Sequence, residues 1–167
     1  MAGALIVTAA IAPSDFGWID RLRRAHYPAE RNRVPAHLTL FRGLPPSADA
    51  EVRTRLAAAA RQPAPTATIA GMMDLGGGVA LRIVSPQLDR IRDELCGELH
   101  GLLSAQDSGG WRPHVTIQNK VPPKVARALV EQLERSLEPR PLAISGLSLH
   151  RYLGGPWGPL GTWRFRP

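Results

Sequence analysis

The sequence predicts an α+β fold made of two similar halves. Apolar segments of strand length alternate along the chain with longer segments whose apolar residues recur at helical period. The pattern His-aliphatic-Thr-aliphatic occurs twice, at residues 37–40 and 114–117, and each copy is followed by two prolines at the same distance. This agreement predicts an internal duplication. We expect one domain, residues 1–167, whose halves are roughly 1–85 and 86–167.

Each copy of the motif predicts a β-strand that presents an imidazole and a hydroxyl on one face. Residues i and i+2 of a strand point to the same side, so His37 shares a face with Thr39, and His114 shares one with Thr116. The aliphatic residues between them point into the core. Five His and seven Thr would give about 0.2 His-x-Thr triplets by chance. Two triplets in equivalent places predict a site between the halves.

The elements of the first half follow from short apolar runs and from prolines that open helices. They are a strand at 4–11, a helix from Pro13, the first motif strand at about 35–41, a helix from Pro45 through Ala60, and strands at 66–74 and 79–85. The last two strands flank Gly76-Gly77-Gly78, which predicts a hairpin turn rather than a phosphate-binding loop, since no helix follows at once.

The second half repeats this order. It has a helix from Pro86 with a clean apolar stripe, a turn-rich segment at 106–110, the second motif strand, a helix from Pro123 to Leu137, and strands near 141–150 and 162–166. Residues 152–159 predict a flexible aromatic loop between the last two strands. Tyr152 and Trp157 are candidates to stack on a nucleobase there. Packing over the core is the alternative for both.

The chain is strongly basic, with a formal charge of +7 and an isoelectric point near 10.9. This surplus favours an anionic partner such as nucleic acid or a phosphorylated metabolite. Only two of the 21 basic residues are lysines. In a chain rich in Ala, Pro and Gly, such an arginine excess is equally typical of the nucleotide composition of a genome, and both interpretations stay open at this stage.

The sequence favours the cytoplasm. Cys96 is the only cysteine, which excludes an intrachain disulfide and favours a reducing compartment. The apolar N-terminal segment lacks the basic start of a signal peptide, since the first basic residue is Arg21. No apolar stretch approaches the ~20 residues of a membrane span. We expect no membrane association, no obligate protein partner and a monomer.

Metal coordination is the main alternative interpretation of the two paired histidines. No Cys, and no His, Asp or Glu at ligand spacing, accompanies either motif, so we expect neither a metal nor another cofactor. The other histidines lack a Thr two residues on and are interpreted as surface or packing residues: His26, His100 and His150.

The chain resembles the 2H phosphoesterase superfamily, whose best known branch is the 2′-5′ RNA ligase and RNA 2′,3′-cyclic phosphodiesterase group. The resemblance rests on both motifs, their separation, the preceding Pro35 and Pro113, and the order of elements over nearly the whole chain. It implies two pseudo-symmetric lobes, each an antiparallel sheet with helices outside, that face each other across a central cleft. The chain departs from the ligase branch, whose members often carry a basic residue shortly after the second motif, where this chain has Gln118-Asn119-Lys120. Arg42 and Lys120 are the candidates for that substrate contact here.

The motif residues suit the opening of a cyclic phosphodiester by water. One group must take a proton from the water and another must protonate the departing sugar oxygen, and imidazole, with a pKa of ~6.5, serves both roles. We therefore assign catalysis to His37 and His114, and phosphate binding to the hydroxyls of Thr39 and Thr116. The resemblance implies that His37 is the acid and His114 the base, whereas the nearly symmetric sequence leaves both assignments open.

These observations predict a metal-independent enzyme that hydrolyses the 2′,3′-cyclic phosphate ends of RNA or nucleotides, with 2′-5′ RNA ligase activity as a further option. One alternative is a phosphodiesterase for a small metabolite such as ADP-ribose cyclic phosphate. Another is a non-catalytic module that binds RNA ends. The presence of both His and both Thr argues against mere binding, because binding does not require paired proton-transfer groups.

Overall fold

The computed structural model describes residues 3–167, in which strands and helices alternate as predicted. The strands are β1 (Leu5–Ile11), β2 (Leu38–Leu44), β3 (Thr66–Asp74), β4 (Val79–Val84), β5 (His114–Gln118), β6 (Arg140–Tyr152) and β7 (Trp157–Arg164). The helices are α1 (Pro13–His26), α2 (Asp49–Ala59), α3 (Pro86–Glu98), α4 (Ala105–Ser108) and α5 (Pro123–Ser136). Residues 1 and 2, which the predicted domain includes, lie outside the described residues.

Within the described residues, the strands form one antiparallel sheet in the order β1-β2-β5-β4-β3-β6-β7. The long strand β6 also pairs with β1, so that six strands close into a ring and β7 lies outside it against β6. This confirms the α+β class with antiparallel pairing. The strands are joined in one continuous sheet, and the division into two lobes, roughly 1–85 and 86–167, stays a prediction.

The sheet order is symmetric about the junction of β2 and β5. Strand β1 flanks β2 as β4 flanks β5, and β6 and β3 come next on the two sides. The chain order agrees, since β1-α1-β2-α2-β3 is followed by β4-α3-β5-α5-β6; the short α4 and the last strand, β7, have no counterpart in the first series. At the junction Leu38 lies opposite Val115. The two motif strands therefore occupy equivalent positions side by side.

Three helices begin at the prolines from which their starts were predicted. Proline occupies the first turn of α1, α3 and α5, where its missing N–H removes no helical hydrogen bond. The Ser85 hydroxyl accepts a hydrogen bond of 3.1 Å from the Leu88 N–H and caps α3. The predicted helix after Pro45 starts with a short 3₁₀ turn, Pro46–Ala48, before α2. The sequence thus sets these boundaries to within a few residues.

Aliphatic residues behind the motifs form part of the core. The side chains of Leu38, Leu40, Val115 and Ile117 are almost fully buried, whereas the histidines and threonines of the motifs are half-buried. This alternation is the period of a strand with one face on the core. The prediction that each motif places its His and Thr on one face is confirmed.

Two predictions for loops are wrong. The turn-rich segment at 106–110 contains α4, because the Ser104 hydroxyl accepts a hydrogen bond of 3.1 Å from the Asp107 N–H and caps one helical turn. The predicted loop at 152–159 is a hairpin in which β7 already begins at Trp157. Gly154, with φ of +87°, allows this tight connection. Trp157 is therefore held on a strand, opposite Tyr152 on β6.

Residues 3–167 contain no helix with both the length and the apolar character that crossing a lipid bilayer requires.

Candidate active site

A cavity of about 650 Å³ lies at the junction of the two motif strands. Its lining includes His37 and Thr39 from β2 and His114 and Thr116 from β5. The register of the strands explains the convergence, since the residues directly after the two histidines, Leu38 and Val115, form the pair that joins β2 to β5. The structure thus brings the four predicted residues to one cavity.

Both histidines are held by the same backbone contact. The Nδ1 atom of His37 lies 2.8 Å from the carbonyl oxygen of Pro35, and that of His114 lies 2.7 Å from the carbonyl oxygen of Arg112. A carbonyl oxygen only accepts, so Nδ1 carries the proton in both rings. In the neutral form Nε2 is then the free base. The same geometry leaves both rings ready to accept or donate a proton through Nε2.

The two threonine hydroxyls are available to a ligand. Among residues 3–167 no hydrogen bond involves the side-chain oxygen of either Thr39 or Thr116. Their backbone carbonyls are occupied instead: Trp111 Nε1 donates to the Thr39 oxygen at 3.1 Å and Arg23 Nη1 donates to the Thr116 oxygen at 2.8 Å. These contacts fix the motif backbone while the hydroxyls stay free to donate into the cavity.

The His37 imidazole is enclosed by an aromatic side chain. The ring of Trp157 lies against it with centroids 4.5 Å apart, and the ring of His150 lies on Trp157 at 5.4 Å. Burial lowers the pKa of His37 to about 4; the hydrogen bond to the Pro35 carbonyl opposes this shift, and the nearby Arg23, His150 and His114 reinforce it. His37 is therefore neutral at neutral pH in the ligand-free protein.

Two buried arginines cross between the halves. Arg23, from the last turn of α1, binds the carbonyl of Thr116 on β5, and Arg92 of α3 binds the carbonyl of Leu40 on β2 at 2.9 Å. Helix α1 precedes β2 in the chain but contacts β5 through Arg23. Helix α3 precedes β5 but contacts β2 through Arg92. Burial lowers the pKa of the Arg23 guanidinium, with Tyr27 and Asp20 opposing the shift. The crossed contacts tie the two motif strands into one rigid site.

The lining of the cavity carries more positive than negative side chains. Four arginines line it, namely Arg23, Arg42, Arg92 and Arg112, against one carboxylate, that of Asp107. The Asp107 oxygens accept hydrogen bonds from the backbone N–H groups of Arg42 and Gly43 at 2.9 to 3.1 Å. This carboxylate therefore helps to hold the end of β2, and the positive side chains dominate the field in the cavity.

The other residues predicted to contact the substrate differ in whether they line the cavity. Arg42, Tyr152 and Trp157 line the cavity. Lys120 does not line it; this exposed residue adopts a left-handed backbone conformation with φ of +62°. His150, predicted to lie at the surface or in packing, packs against Trp157 and shares a 3.0 Å hydrogen bond with the Thr8 hydroxyl.

Two residues that contact the motif backbone, Arg23 and Trp111, were not predicted from the sequence. A signal for Arg23 existed: Asp15, Ile19 and Arg23 are spaced by four and lie on the buried face of α1. A charged residue at an apolar-stripe position points to a specific partner. Trp111 had no comparable signal, because its indole reaches β2 through a loop that has no periodicity.

Within the described part of the chain, no three His, Cys, Asp or Glu side chains come together in a way that could hold a metal ion.

The fold and the cavity define a class of protein in which two related strands each present a His and a Thr to one anion-attracting cleft. A model of the 2′-5′ RNA ligase superfamily matches residues 11–156. The chain belongs to this superfamily, which confirms its resemblance to the 2H phosphoesterases.

Solved structures with low sequence identity share this fold. The protein TT0787 of Thermus thermophilus is similar with a TM-score of 0.67 and 17% identity, covering 98% of each chain. E. coli LigT complexed with 3′-AMP gives a TM-score of 0.63 and 16% identity over 100% of each chain, and LigT complexed with NADP+ gives 0.61 and 20% over 99% of each. Among curated proteins no match is found.

Proposed function

We propose that this protein is a metal-independent phosphoesterase that hydrolyses 2′,3′-cyclic phosphates at the ends of RNA or on nucleotides. The observation that carries the proposal is the convergence of two imidazoles, each with Nδ1 bound to a backbone carbonyl, and two free threonine hydroxyls in one positively charged cavity. Membership of the 2′-5′ RNA ligase superfamily supports the same chemistry. The nucleotides bound in the related LigT structures favour a nucleotide-bearing substrate.

The proposed reaction needs one proton acceptor and one proton donor. One imidazole takes a proton from water through Nε2 as the water oxygen bonds to phosphorus. The P–O bond to one sugar oxygen breaks, and the other imidazole, in its charged form, gives that oxygen a proton. A phosphate monoester and a free hydroxyl result. His37 and His114 occupy equivalent positions on the two paired strands, so in this proposal each would act from its own side of the phosphorus.

The threonine hydroxyls would bind the non-bridging phosphate oxygens. Negative charge on these oxygens grows toward the transition state, and donors already aimed into the cavity need no reorganisation. Thr39 and Thr116 lie two residues after the histidines on the same strand faces, so the proton-transfer groups and the phosphate donors form one rigid unit.

The burial of His37 favours it as the base. A base must be neutral before the reaction, and the pKa of His37 is lowered to about 4. His114 would then supply the proton to the leaving oxygen. This assignment is the reverse of the one that the family resemblance implies.

The proposal is tested with a panel of 2′,3′-cyclic nucleotides, short RNAs with 2′,3′-cyclic ends and ADP-ribose cyclic phosphate, each assayed with EDTA present. We expect hydrolysis of the nucleotides or RNAs at a rate that EDTA does not change. Faster hydrolysis of ADP-ribose cyclic phosphate would assign the protein to a small metabolite instead. Tight binding of the RNA ends without turnover would make it a binding module. Addition of a 5′-hydroxyl RNA to the same reaction tests for 2′-5′ ligation.

A further inference from the structure

Arg23 is a buried cation without an acidic partner in the described chain. Its relative exposure is 4%, and it lines the cavity between the two motif strands. None of the ion pairs formed among residues 3–167 includes it. A buried charge is costly unless it is paired. A cation that is kept in such a place needs enough hydrogen-bond acceptors or an anion, and the cavity is where an anion can enter.

The guanidinium of Arg23 is only partly used by the protein. Nε donates to the side-chain oxygen of Asn32 at 2.8 Å, and Nη1 donates to the carbonyl of Thr116 at 2.8 Å. The ring of Tyr27 lies 4.2 Å from the guanidinium carbon and covers one face. The Tyr27 side chain also stabilises the charged guanidinium, while Nη2 forms no hydrogen bond of ordinary length and angle within residues 3–167. The group is therefore oriented by its neighbours, yet it keeps free donors.

Arg92 of α3 is a second buried arginine at the cavity, and all three of its nitrogens have acceptors. Its Nε donates to the Leu40 carbonyl, Nη2 donates to the Asp107 carbonyl at 2.8 Å, and Nη1 lies 3.6 Å from the Cys96 sulfur. The rings of Phe41 and Trp111 lie 4.9 and 5.1 Å from its guanidinium carbon. Each arginine donates to a backbone carbonyl of a motif strand, but all three nitrogens are occupied in Arg92 alone. The difference points to a ligand at Arg23.

We infer that Arg23 is a phosphate-binding residue, which donates from its free nitrogen to a non-bridging oxygen of the phosphate held between the two motifs. A guanidinium matches the geometry and charge of a phosphate group. Its contact with the backbone of Thr116 places it beside one of the two proposed hydroxyl donors. It would supply the fixed positive charge that neutral Thr hydroxyls do not provide.

The inference rests on the proposed function for its role in turnover but not for anion binding itself. Inorganic phosphate is the probe for binding, and 2′,3′-cyclic AMP is the substrate for turnover. Arg23→Gln removes the charge and keeps an amide donor, whereas Arg23→Met removes both. Arg24→Met is the matched control, because Arg24 is an exposed neighbour on α1 that does not line the cavity. Each variant lowers the net charge by the same amount.

Titration calorimetry should show phosphate binding about 10- to 100-fold weaker in Arg23→Gln and Arg23→Met, the range for losing a charge-assisted hydrogen bond, with Arg24→Met within about twofold of the wild type. For 2′,3′-cyclic AMP, kcat/KM should fall by at least a similar factor. In the wild type, nitrogen NMR of the arginine side chains should show the Arg23 signal shifting as phosphate is added.

The outcomes separate the two proposals. Wild-type phosphate affinity in folded Arg23 variants, or an Arg23 signal that phosphate leaves unmoved, would overturn the inference even if the enzyme hydrolyses the cyclic nucleotide. Loss of phosphate binding in these variants, in a protein that hydrolyses no cyclic phosphate, would support the anion site and refute the proposed function. The NMR titration decides the inference even where a variant fails to fold.

Discussion

The indole of Trp157 lies against the imidazole of His37, with ring centroids 4.5 Å apart. From the sequence, Trp157 is a candidate to stack on a nucleobase, with packing over the core as the alternative, and in the structure it lines the cavity. The contact of Trp157 with His37 also affects the protonation of the imidazole. An aromatic ring on an imidazole excludes water from it, and the loss of water disfavours the charged form. We therefore expect Trp157 to contribute to the burial that lowers the pKa of His37.

Replacing Trp157 by Ala should raise the pKa of His37 from about 4 toward its ordinary value near 6.5, because water would reach the ring. The pKa is measured by following the His37 ring signals by NMR as the pH is changed. Trp157→Phe is the control, since a phenyl ring keeps most of the cover and should keep the pKa low. An unchanged His37 pKa in Trp157→Ala would assign the shift to the surrounding backbone and charges instead.

The stability of the protein should fall in mild acid because of His37. Its pKa is about 4 in the folded protein and near 6.5 in the unfolded chain, so the unfolded state binds more protons between these values. The free energy of unfolding should then decrease as the pH drops from about 6.5 to about 4. Burial also lowers the pKa of His150, which adds to the same trend.

A comparison of variants isolates the part that belongs to His37. Urea unfolding of the wild type and of His37→Gln across this pH range should give a flatter dependence for the variant. Parallel curves for the two proteins would show that other groups cause the acid sensitivity.

The threonine hydroxyls should matter for turnover and not for folding. Thr39→Val and Thr116→Val keep the shape of the side chain and remove its donor, so each should lower kcat by on the order of 10²-fold at a nearly unchanged melting temperature. Leu38→Ala supplies the opposite control, because it leaves a cavity behind the motif and should cost roughly 2 to 5 kcal/mol of stability. If the Val variants melted early and hydrolysed normally, the hydroxyls would be structural.

Much of this architecture is predictable because it depends on local patterns. The period of two in the motif predicted which side chains share a face, and the prolines predicted where α1, α3 and α5 begin. The closure of the sheet through β3 and β6 was not predictable, since the pairing of Thr66 with Ala143 joins residues far apart in the chain. Strand pairing of this kind leaves no periodic signal.

That His37 and His114 lie at one cavity was predictable, because the motif is duplicated. The residues that surround them were not predictable. Arg23, Trp111 and the contact of Trp157 with His37 depend on how α1, a loop and β7 pack on the motif strands, and packing across elements has no short sequence pattern. Lys120 illustrates the converse: it follows the second motif closely, yet the turn carries it away from the cavity.

The leaving group of the substrate should reveal which histidine is the acid. A p-nitrophenyl phosphodiester releases a phenolate that needs no proton, so a variant that lacks the acid should lose little activity on it. With His37 as the base, His114→Ala should regain most of its activity on this substrate and His37→Ala should not. The reverse pattern would make His37 the acid, as the family resemblance implies.

The most direct test of the paired-histidine mechanism measures kcat/KM for 2′,3′-cyclic AMP with EDTA present. The proteins compared are the wild type, His37→Ala and His114→Ala. Both variants should keep the fold, since the two side chains are half-buried at a cavity wall, and both should lose at least ~10²-fold in rate, the range for a general acid or base. Turnover near the wild-type level in either folded variant would contradict the paired mechanism.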